Sequence, residues 1–139
     1  MAAGTIQIEL AADRSAIDRL MAALDQFSQD TGLPERAENQ LRLCLDELVV
    51  NAISYGFDDG MNGVILVAVT YQGDSLAVRM EDNGKPFNPF EEAAKPDLKA
   101  DVEEREIGGL GVLFVTSCAK EYGYERNGEK NVIRLLLDA

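Results

Sequence analysis

A pair of strand-like segments, joined by a polar link of three residues, constrains the fold of this chain more than any other feature. Val64–Tyr71 is β-branched and apolar along its length, which favours a buried strand. In residues 75–81 apolar side chains alternate with smaller or charged ones, which is typical of a strand with one buried face. Because Gln72-Gly73-Asp74 leaves room for only a tight turn, the two segments predict an antiparallel hairpin.

Hydrophobic periodicity predicts the other elements. Alternation with a period of two indicates strands, and apolar side chains three and four apart indicate helices. In chain order these are a strand at residues 5–10, helices at 16–30, 34–55 and 108–119, and strands at 121–126 and 132–137. The last two strands are expected to form a second hairpin across Asn127-Gly128. Strands joined mainly by hairpins predict an α+β two-layer sandwich, with a mixed, mostly antiparallel sheet and about three helices on one face. At 139 residues, the whole chain (1–139) is expected to form one domain.

Composition and charge exclude several classes of function. The absence of histidine removes Ser-His-Asp and Cys-His catalysis, histidine-ligated metals and phosphohistidine relay through this chain. The net charge of -12 disfavours nucleic-acid binding, and it would suit a basic protein partner or serve solubility alone. Neither a signal peptide nor an apolar run of roughly 20 residues is present, so we expect a cytoplasmic protein with no membrane partner. Cys44 and Cys118 are expected to be reduced core thiols.

The helix predicted over residues 34–55 carries two polar side chains in a mostly apolar surface. A helix that is apolar on nearly all sides is normally buried. Glu47 and Asn51 are four residues apart and therefore lie side by side in a narrow gap of that surface. Burying both costs several kcal/mol unless each has a partner. They are therefore a functional pair, a satisfied core pair or the solvent edge of the helix.

Two glycine-containing segments follow this helix. Asp82-Asn83-Gly84 ends a strand, and Gly84 permits close backbone approach, although an ordinary turn has the same sequence. Gly108-Gly109-Leu110-Gly111 opens an apolar helix, where exposed N–H groups suit a phosphate or the glycines form a hinge. Between them, residues 85–106 hold three prolines and many charges, which predicts a lid, a binding loop or a disordered link.

The order of these motifs resembles the GHKL ATPase superfamily. Glu47 and Asn51 resemble its N box, Asp82 and Gly84 its first glycine box, and Gly108-Gly109-Leu110-Gly111 its second. The resemblance covers residues 10–137. It implies a Bergerat fold that binds ATP and Mg²⁺ beneath an ATP lid.

The resemblance also implies a role for each motif residue. Asn51 would coordinate Mg²⁺ through its amide oxygen, a hard ligand for a hard cation. Asp82 would accept a hydrogen bond from the adenine amino group, and Gly84 would let the base lie close to the backbone. The N–H groups around Gly108-Gly109-Leu110-Gly111 would hold phosphates as the lid closes. Glu47 would orient or deprotonate the attacking hydroxyl group.

Three phrases are similar to the stand-alone anti-sigma-factor and switch-kinase branch of the superfamily. They are Glu47-Leu48-Val49-Val50-Asn51-Ala52, Asp82-Asn83-Gly84-Lys85-Pro86-Phe87 and Gly109-Leu110-Gly111-Val112. This similarity implies an ATP-dependent serine/threonine protein kinase and anti-sigma regulator of transcription. Its partners would be an antagonist protein with a phosphorylatable Ser or Thr and a sigma factor, in a partner-switching circuit.

Other functions stay open at the level of sequence. One is a binding module in which nucleotide gates the capture of a sigma factor or other regulator without phosphotransfer. Another is the ATP-binding half of a histidine kinase acting in trans, which the lack of histidine and of a helical hairpin disfavours. Residues 5–10 could also pair with a second copy across a two-fold axis and form a homodimer.

Two positions depart from the pattern of the superfamily. Tyr55 stands where a histidine often follows the N-box asparagine, a change expected to affect packing more than chemistry. The last strand, which begins Asn131-Val132-Ile133-Arg134, lacks the threonine that commonly helps to bind adenine through water.

Overall fold

The computed structural model describes residues 3–58, 61–92 and 109–139. Its elements in chain order are β1 (Gly4–Ala11), α1 (Ser15–Thr31), α2 (Glu35–Gly56), β2 (Val64–Tyr71), β3 (Ser75–Asp82), α3 (Pro89–Glu92), α4 (Gly109–Cys118), β4 (Glu121–Asn127) and β5 (Lys130–Asp138). Within those ranges, no helix combines the length and the apolar character needed to cross a membrane.

The strands form one five-stranded sheet in the order β1-β2-β3-β5-β4, and each pairing is antiparallel. The predicted hairpins are both confirmed, and Gly128 has the positive φ of 61° that the β4–β5 turn requires. The register of β3 on β5 places Asp82 opposite Asn131, which brings together two residues far apart in sequence. β1 and β4 form the two edges of the sheet.

The core lies between one face of the sheet and helices α1 and α2. Along β2 the buried side chains alternate with exposed or half-buried ones, so that Ile65, Val67 and Val69 point inward. Leu20 of α1 and Leu45 of α2 are fully buried against this face. Each such side chain stabilises the fold by about 1.5–3 kcal/mol. This arrangement is the predicted two-layer sandwich.

The prediction that α2 is buried on nearly all sides is wrong for one stripe of the helix. Leu43 is 54% exposed and Val50 is 39% exposed. The helix packs against α1, α4 and the sheet, and these neighbours leave one side to solvent. The apolar character of the stripe therefore does not report burial.

The segment predicted as a lid contains a short helix that the sequence analysis did not anticipate. Asn88 caps α3, because its side-chain oxygen accepts a hydrogen bond of 3.0 Å from the Phe90 N–H, and Pro89 is the first helical residue. The rest of the predicted lid, residues 93–106, lies outside the described residues.

The two cysteines have free thiols, as expected. Cys44 of α2 is buried, and Cys118 at the end of α4 is half-buried. Burial raises the pKa of the Cys44 thiol to about 12, and the neighbouring Cys118 thiol adds to the increase. Cys44 is therefore a neutral core side chain at physiological pH.

Candidate nucleotide site

Glu47 and Asn51 lie on one side of α2 and each leaves a buried polar atom unsatisfied. Asn51 is 3% exposed and Glu47 is half-buried, so the pair is not the solvent edge of the helix. Among the described residues, Oε1 of Glu47 and Nδ2 of Asn51 have no hydrogen-bond partner. An acceptor and a donor without partners each cost about 1–3 kcal/mol. Within the described residues the pair is therefore not a satisfied core pair, and the geometry suits a polar ligand.

The N-terminus of α4 meets α2 at Glu47. A Cβ atom on Gly111 would collide with the Glu47 carboxyl group, so this carboxyl lies directly against the backbone of the glycine segment. Burial raises the pKa of the Glu47 carboxyl, and the neighbouring Asp46 carboxylate adds to the increase. The ten-residue helix α4 directs its free N–H groups and the positive end of its dipole toward this region.

Asp82 lies buried at the end of β3, with 5% of its surface exposed. Its Oδ1 accepts hydrogen bonds of 2.9 Å from the Gly84 N–H and 2.9 Å from Nδ2 of Asn131. Burial raises the pKa of the Asp82 carboxyl, while these two hydrogen bonds and the charge of Arg126 act in the opposite direction. The carboxylate is thus held in place in a largely dry environment.

Gly84 packs against the C-terminus of α2. A Cβ atom on Gly84 would lie 2.6 Å from the carbonyl oxygen of Gly56 and 2.9 Å from Oδ1 of Asp82. The Lys85 N–H donates a 2.8 Å hydrogen bond to the same Gly56 oxygen. A side chain at position 84 would therefore force the backbone apart, which explains the need for glycine.

A polar cluster around Asn131 was missed by the sequence analysis. The Asn131 side chain bonds to Asp82, to the Lys85 carbonyl at 2.7 Å and to the Tyr124 hydroxyl at 2.5 Å. Arg126 donates a 2.8 Å hydrogen bond to the Gly84 carbonyl. One sequence signal could have revealed this cluster. Asn131 is the polar residue among the inward-facing positions of β5, which are otherwise apolar.

Tyr55 continues the polar stripe of α2, four residues beyond Asn51. Its ring stacks on Phe87 with the centroids 5.2 Å apart and the planes 26° from parallel. The expectation that Tyr55 affects packing agrees with this contact. The stack connects α2 to the segment that follows Gly84.

The predicted site residues gather in two groups along α2. The group at the α4 end consists of Glu47, Asn51 and Gly111, and the group at the end of β3 consists of Asp82 and Gly84. Gly109 and Leu110 are the first residues of α4, and Gly108 lies outside the described residues.

A concavity of about 600 Å³ lies on the open face of the sheet. Its two arginines are already paired, since Arg79 contacts Glu81 at 2.6 Å and Arg134 contacts Glu125 at 2.7 Å. Within the part of the chain that the structure describes, no three His, Cys, Asp or Glu side chains are placed to hold a metal ion. Of the three buried polar atoms without a partner among the described residues, Ser28 Oγ lies alone on α1, whereas those of Glu47 and Asn51 lie together on α2, which makes the α2 region the candidate site.

Comparison with known proteins agrees with this geometry. The family model described as "Histidine kinase-like ATPase domain" matches residues 10–137. The serine-protein kinase RsbW of Listeria monocytogenes is 27% identical over 114 residues, covering 80% of this chain and 71% of the relative. The anti-sigma F factor of Anoxybacillus flavithermus is 25% identical over 132 residues, covering 94% of this chain and 88% of the relative. The serine/threonine-protein kinase BtrW of Bordetella bronchiseptica is 22% identical over 135 residues, covering 97% and 94%.

A solved structure has the same fold. The crystal structure of the RsbU and RsbW domains of a Mycobacterium tuberculosis protein superposes with a TM-score of 0.65 at 15% identity. The match covers 98% of this chain and 33% of that chain, so this chain spans a third of the structure it resembles. Because the family model spans nearly the whole sequence, the chain belongs to the histidine kinase-like ATPase domain family.

Proposed function

We propose that this chain is an ATP-dependent serine/threonine protein kinase and anti-sigma regulator that acts in the cytoplasm. The observation that carries the proposal is the unsatisfied pair on α2, Oε1 of Glu47 and Nδ2 of Asn51, beside the N-terminus of α4. The relatives named as serine-protein kinases and anti-sigma factors support the same function. The substrate would be an antagonist protein with a phosphorylatable Ser or Thr, and the sequestered partner a sigma factor.

The residues present fit a bound nucleotide at both ends of the site. At the base end, Asp82 supplies a buried acceptor for the adenine amino group, and Gly84, whose N–H bonds to Oδ1 of Asp82, keeps the backbone close to this carboxylate. At the phosphate end, Nδ2 of Asn51 is a donor that meets no acceptor in the described part of the chain, which suits an anionic oxygen. The N–H groups at the start of α4 add further donors for phosphate.

Mg²⁺ is assigned to the phosphate end through Oδ1 of Asn51. An amide oxygen is a suitable Mg²⁺ ligand, and this cation usually binds through one or two protein groups together with substrate phosphates. When bound, it would neutralise phosphate charge during transfer. The lack of a cluster of acidic ligands in the described residues is consistent with such a shared site.

Glu47 is the group that would act on the attacking hydroxyl. Its carboxyl is held against Gly111, and its raised pKa makes it a better proton acceptor than an exposed carboxylate. With no histidine in the chain, a carboxylate is the natural general base at this position. Glu47 would accept the proton of the substrate hydroxyl as the hydroxyl oxygen bonds to the γ-phosphorus of ATP, while the bond from that phosphorus to the β–γ bridging oxygen breaks and ADP leaves.

The proposal is tested first by binding. ATP and ADP, each with Mg²⁺, would be titrated into the wild-type protein by calorimetry. We expect saturable binding of both nucleotides. Absence of binding in concentrated protein would overturn the proposal and leave a protein-only interaction module. Binding of ATP without phosphate transfer to any antagonist would instead favour a nucleotide-gated binding module.

A methyl group at Gly111 is expected to reduce phosphotransfer about 100-fold through displacement of the Glu47 carboxyl. The added Cβ would collide with this carboxyl, which is the free end of a flexible side chain and so moves more easily than backbone. Gly111→Ala should therefore keep its fold and lose activity, measured as transfer from γ-labelled ATP. Gly123→Ala is the matched control, because a Cβ there meets no atom within 4 Å. Wild-type activity in Gly111→Ala would contradict the role given to Glu47.

The proposal includes a homodimer formed through β1. This strand lies at the edge of the sheet, where no strand of the described ranges pairs with its outer side, so that its N–H and C=O groups there could pair with a second copy. Light scattering at micromolar protein concentration measures the assembly directly. A monomer under those conditions would rule out this dimer.

A further inference from the structure

We propose that Asn131 is a positioning residue that sets which nucleobase the site accepts, because it holds the Asp82 carboxylate in one orientation. The inference rests on the proposed ATP site and extends it to the origin of its base specificity. Asn131 is 2% exposed and lies directly opposite Asp82 in the β3–β5 register.

Every hydrogen-bonding group of the Asn131 side chain is in use. Its two N–H donors go to Oδ1 of Asp82 at 2.9 Å and to the Lys85 carbonyl at 2.7 Å. Its Oδ1 accepts from the Phe87 N–H at 3.1 Å and from the Tyr124 hydroxyl at 2.5 Å, with an Arg126 N–H at 3.3 Å.

These partners fix the direction of the amide. A flipped amide would bring its oxygen against the Asp82 carboxylate and the Lys85 carbonyl, and its N–H donors against the Phe87 and Arg126 N–H donors. Asn131 can therefore present only a donor to Asp82. The orientation is set by Tyr124 and Arg126 of β4 and by the segment after Gly84, and not by the nucleotide.

As a consequence, the two carboxylate oxygens of Asp82 have different hydrogen-bond partners. Oδ1 already accepts from Gly84 and Asn131, so Oδ2 is left to accept a hydrogen bond from the amino group at C6 of adenine. Without Asn131, the carboxyl can rotate or take up a proton. A protonated carboxyl has an O–H donor and a carbonyl acceptor. It could therefore donate to the C6 carbonyl of hypoxanthine or accept from the C6 amino group of adenine.

The test compares ATP with inosine triphosphate, which carries a carbonyl at C6. Both would be titrated into wild type and Asn131→Leu by calorimetry, with circular dichroism to check the fold. We expect the ratio of ATP affinity to inosine triphosphate affinity to fall about tenfold or more in the variant. A merely structural role would weaken both nucleotides alike and leave the ratio unchanged, which would overturn the inference.

Two further variants separate specificity from stability. Leu137→Ala removes a fully buried side chain from the same strand without touching the polar cluster, and its ratio should equal that of wild type. Asn131→Thr keeps a single donor toward Asp82 and should restore most of the ratio.

If Asn131→Leu does not fold, the comparison is made between Asn131→Ala and Asn131→Thr. A reduced ratio in the alanine variant alone supports the inference, and equal ratios in both contradict it. Failure of wild type to bind ATP would instead overturn the proposed function itself, so the two failures are distinguishable.

Discussion

Replacing Glu47 with Gln is expected to lower phosphotransfer by about 100- to 10,000-fold while ATP binding is largely retained. The amide has nearly the same size as the carboxyl but cannot accept a proton from the attacking hydroxyl. The measurement is transfer of label from γ-labelled ATP to the antagonist protein, alongside calorimetric binding of ATP. Equal transfer rates in wild type and Glu47→Gln would contradict the assignment of Glu47 as the general base.

Although Glu47→Gln is expected to lose activity, its thermal stability is expected to equal or exceed that of wild type. Folding raises the pKa of the Glu47 carboxyl, so the folded state favours its neutral form. The linked stability is present at low pH and is lost as the pH rises through the folded-state pKa. A permanently neutral side chain avoids this loss, so the thermal midpoint at pH 7 should equal or exceed that of wild type. Lost activity in this variant therefore cannot be ascribed to unfolding.

Asp46→Asn is the matched control, since it removes the neighbouring carboxylate on the same helix. Asp46 contributes to the raised pKa of Glu47, although burial is the larger cause. The control should retain phosphotransfer. Its rate should also persist to lower pH than in wild type, because Glu47 then stays deprotonated further into the acid range. An unchanged acid limb would show that Glu47 does not control the pH profile.

Replacing Asp82 with Asn is expected to weaken ATP binding by roughly 30- to 1,000-fold, which corresponds to about 2–4 kcal/mol. The new amide must turn its oxygen toward the Gly84 N–H and the Asn131 N–H, because both groups are donors. Its NH₂ group then occupies the place of Oδ2. A donor would face the amino group of adenine, which is also a donor, and neither could be satisfied.

The same geometry predicts that Asp82→Asn prefers inosine triphosphate to ATP, because a C6 carbonyl can accept from the new amide. Calorimetric titration of both nucleotides into wild type and variant measures this reversal. Asn83→Ala, which alters the adjacent residue on the outer side of the turn, serves as control and should keep the preference for ATP. An Asp82→Asn variant that still prefers ATP would show that the base is read elsewhere.

The elements of the fold were predictable where local chemistry decides them. The Asn127-Gly128 turn depends on residues within the turn itself, and the structure confirms it. Helix α2 ends at Gly56, one residue beyond the predicted end at residue 55. The short helix α3 was missed although Asn88-Pro89 is a recognisable helix start. The many charges and prolines of that segment hid this local signal.

The site was predictable only in part. Spacing along a single helix placed Glu47 beside Asn51, and the structure leaves polar atoms of both without partners. The contact between Asp82 and Asn131 depends instead on the pairing of β3 with β5, across 49 residues of sequence. No local pattern encodes that register. The chemical roles of Glu47, Asn51, Asp82 and the glycine segment stay predictions until they are measured.

The number of helical residues between Glu47 and Gly56 in α2 has a consequence for how this protein can change during evolution. Glu47 lies at the phosphate end of the proposed site and Gly56 lies under its base end. The length of this one helix therefore sets the distance between the two ends of the site. An α-helix rises about 1.5 Å and turns about 100° per residue, which puts the two positions about 14 Å apart. A single residue inserted between them would rotate Glu47 by about 100° about the helix axis relative to Gly56. Changes in chain length are therefore tolerated at hairpin turns such as Gln72-Gly73-Asp74, and the stretch between Glu47 and Gly56 must keep its length.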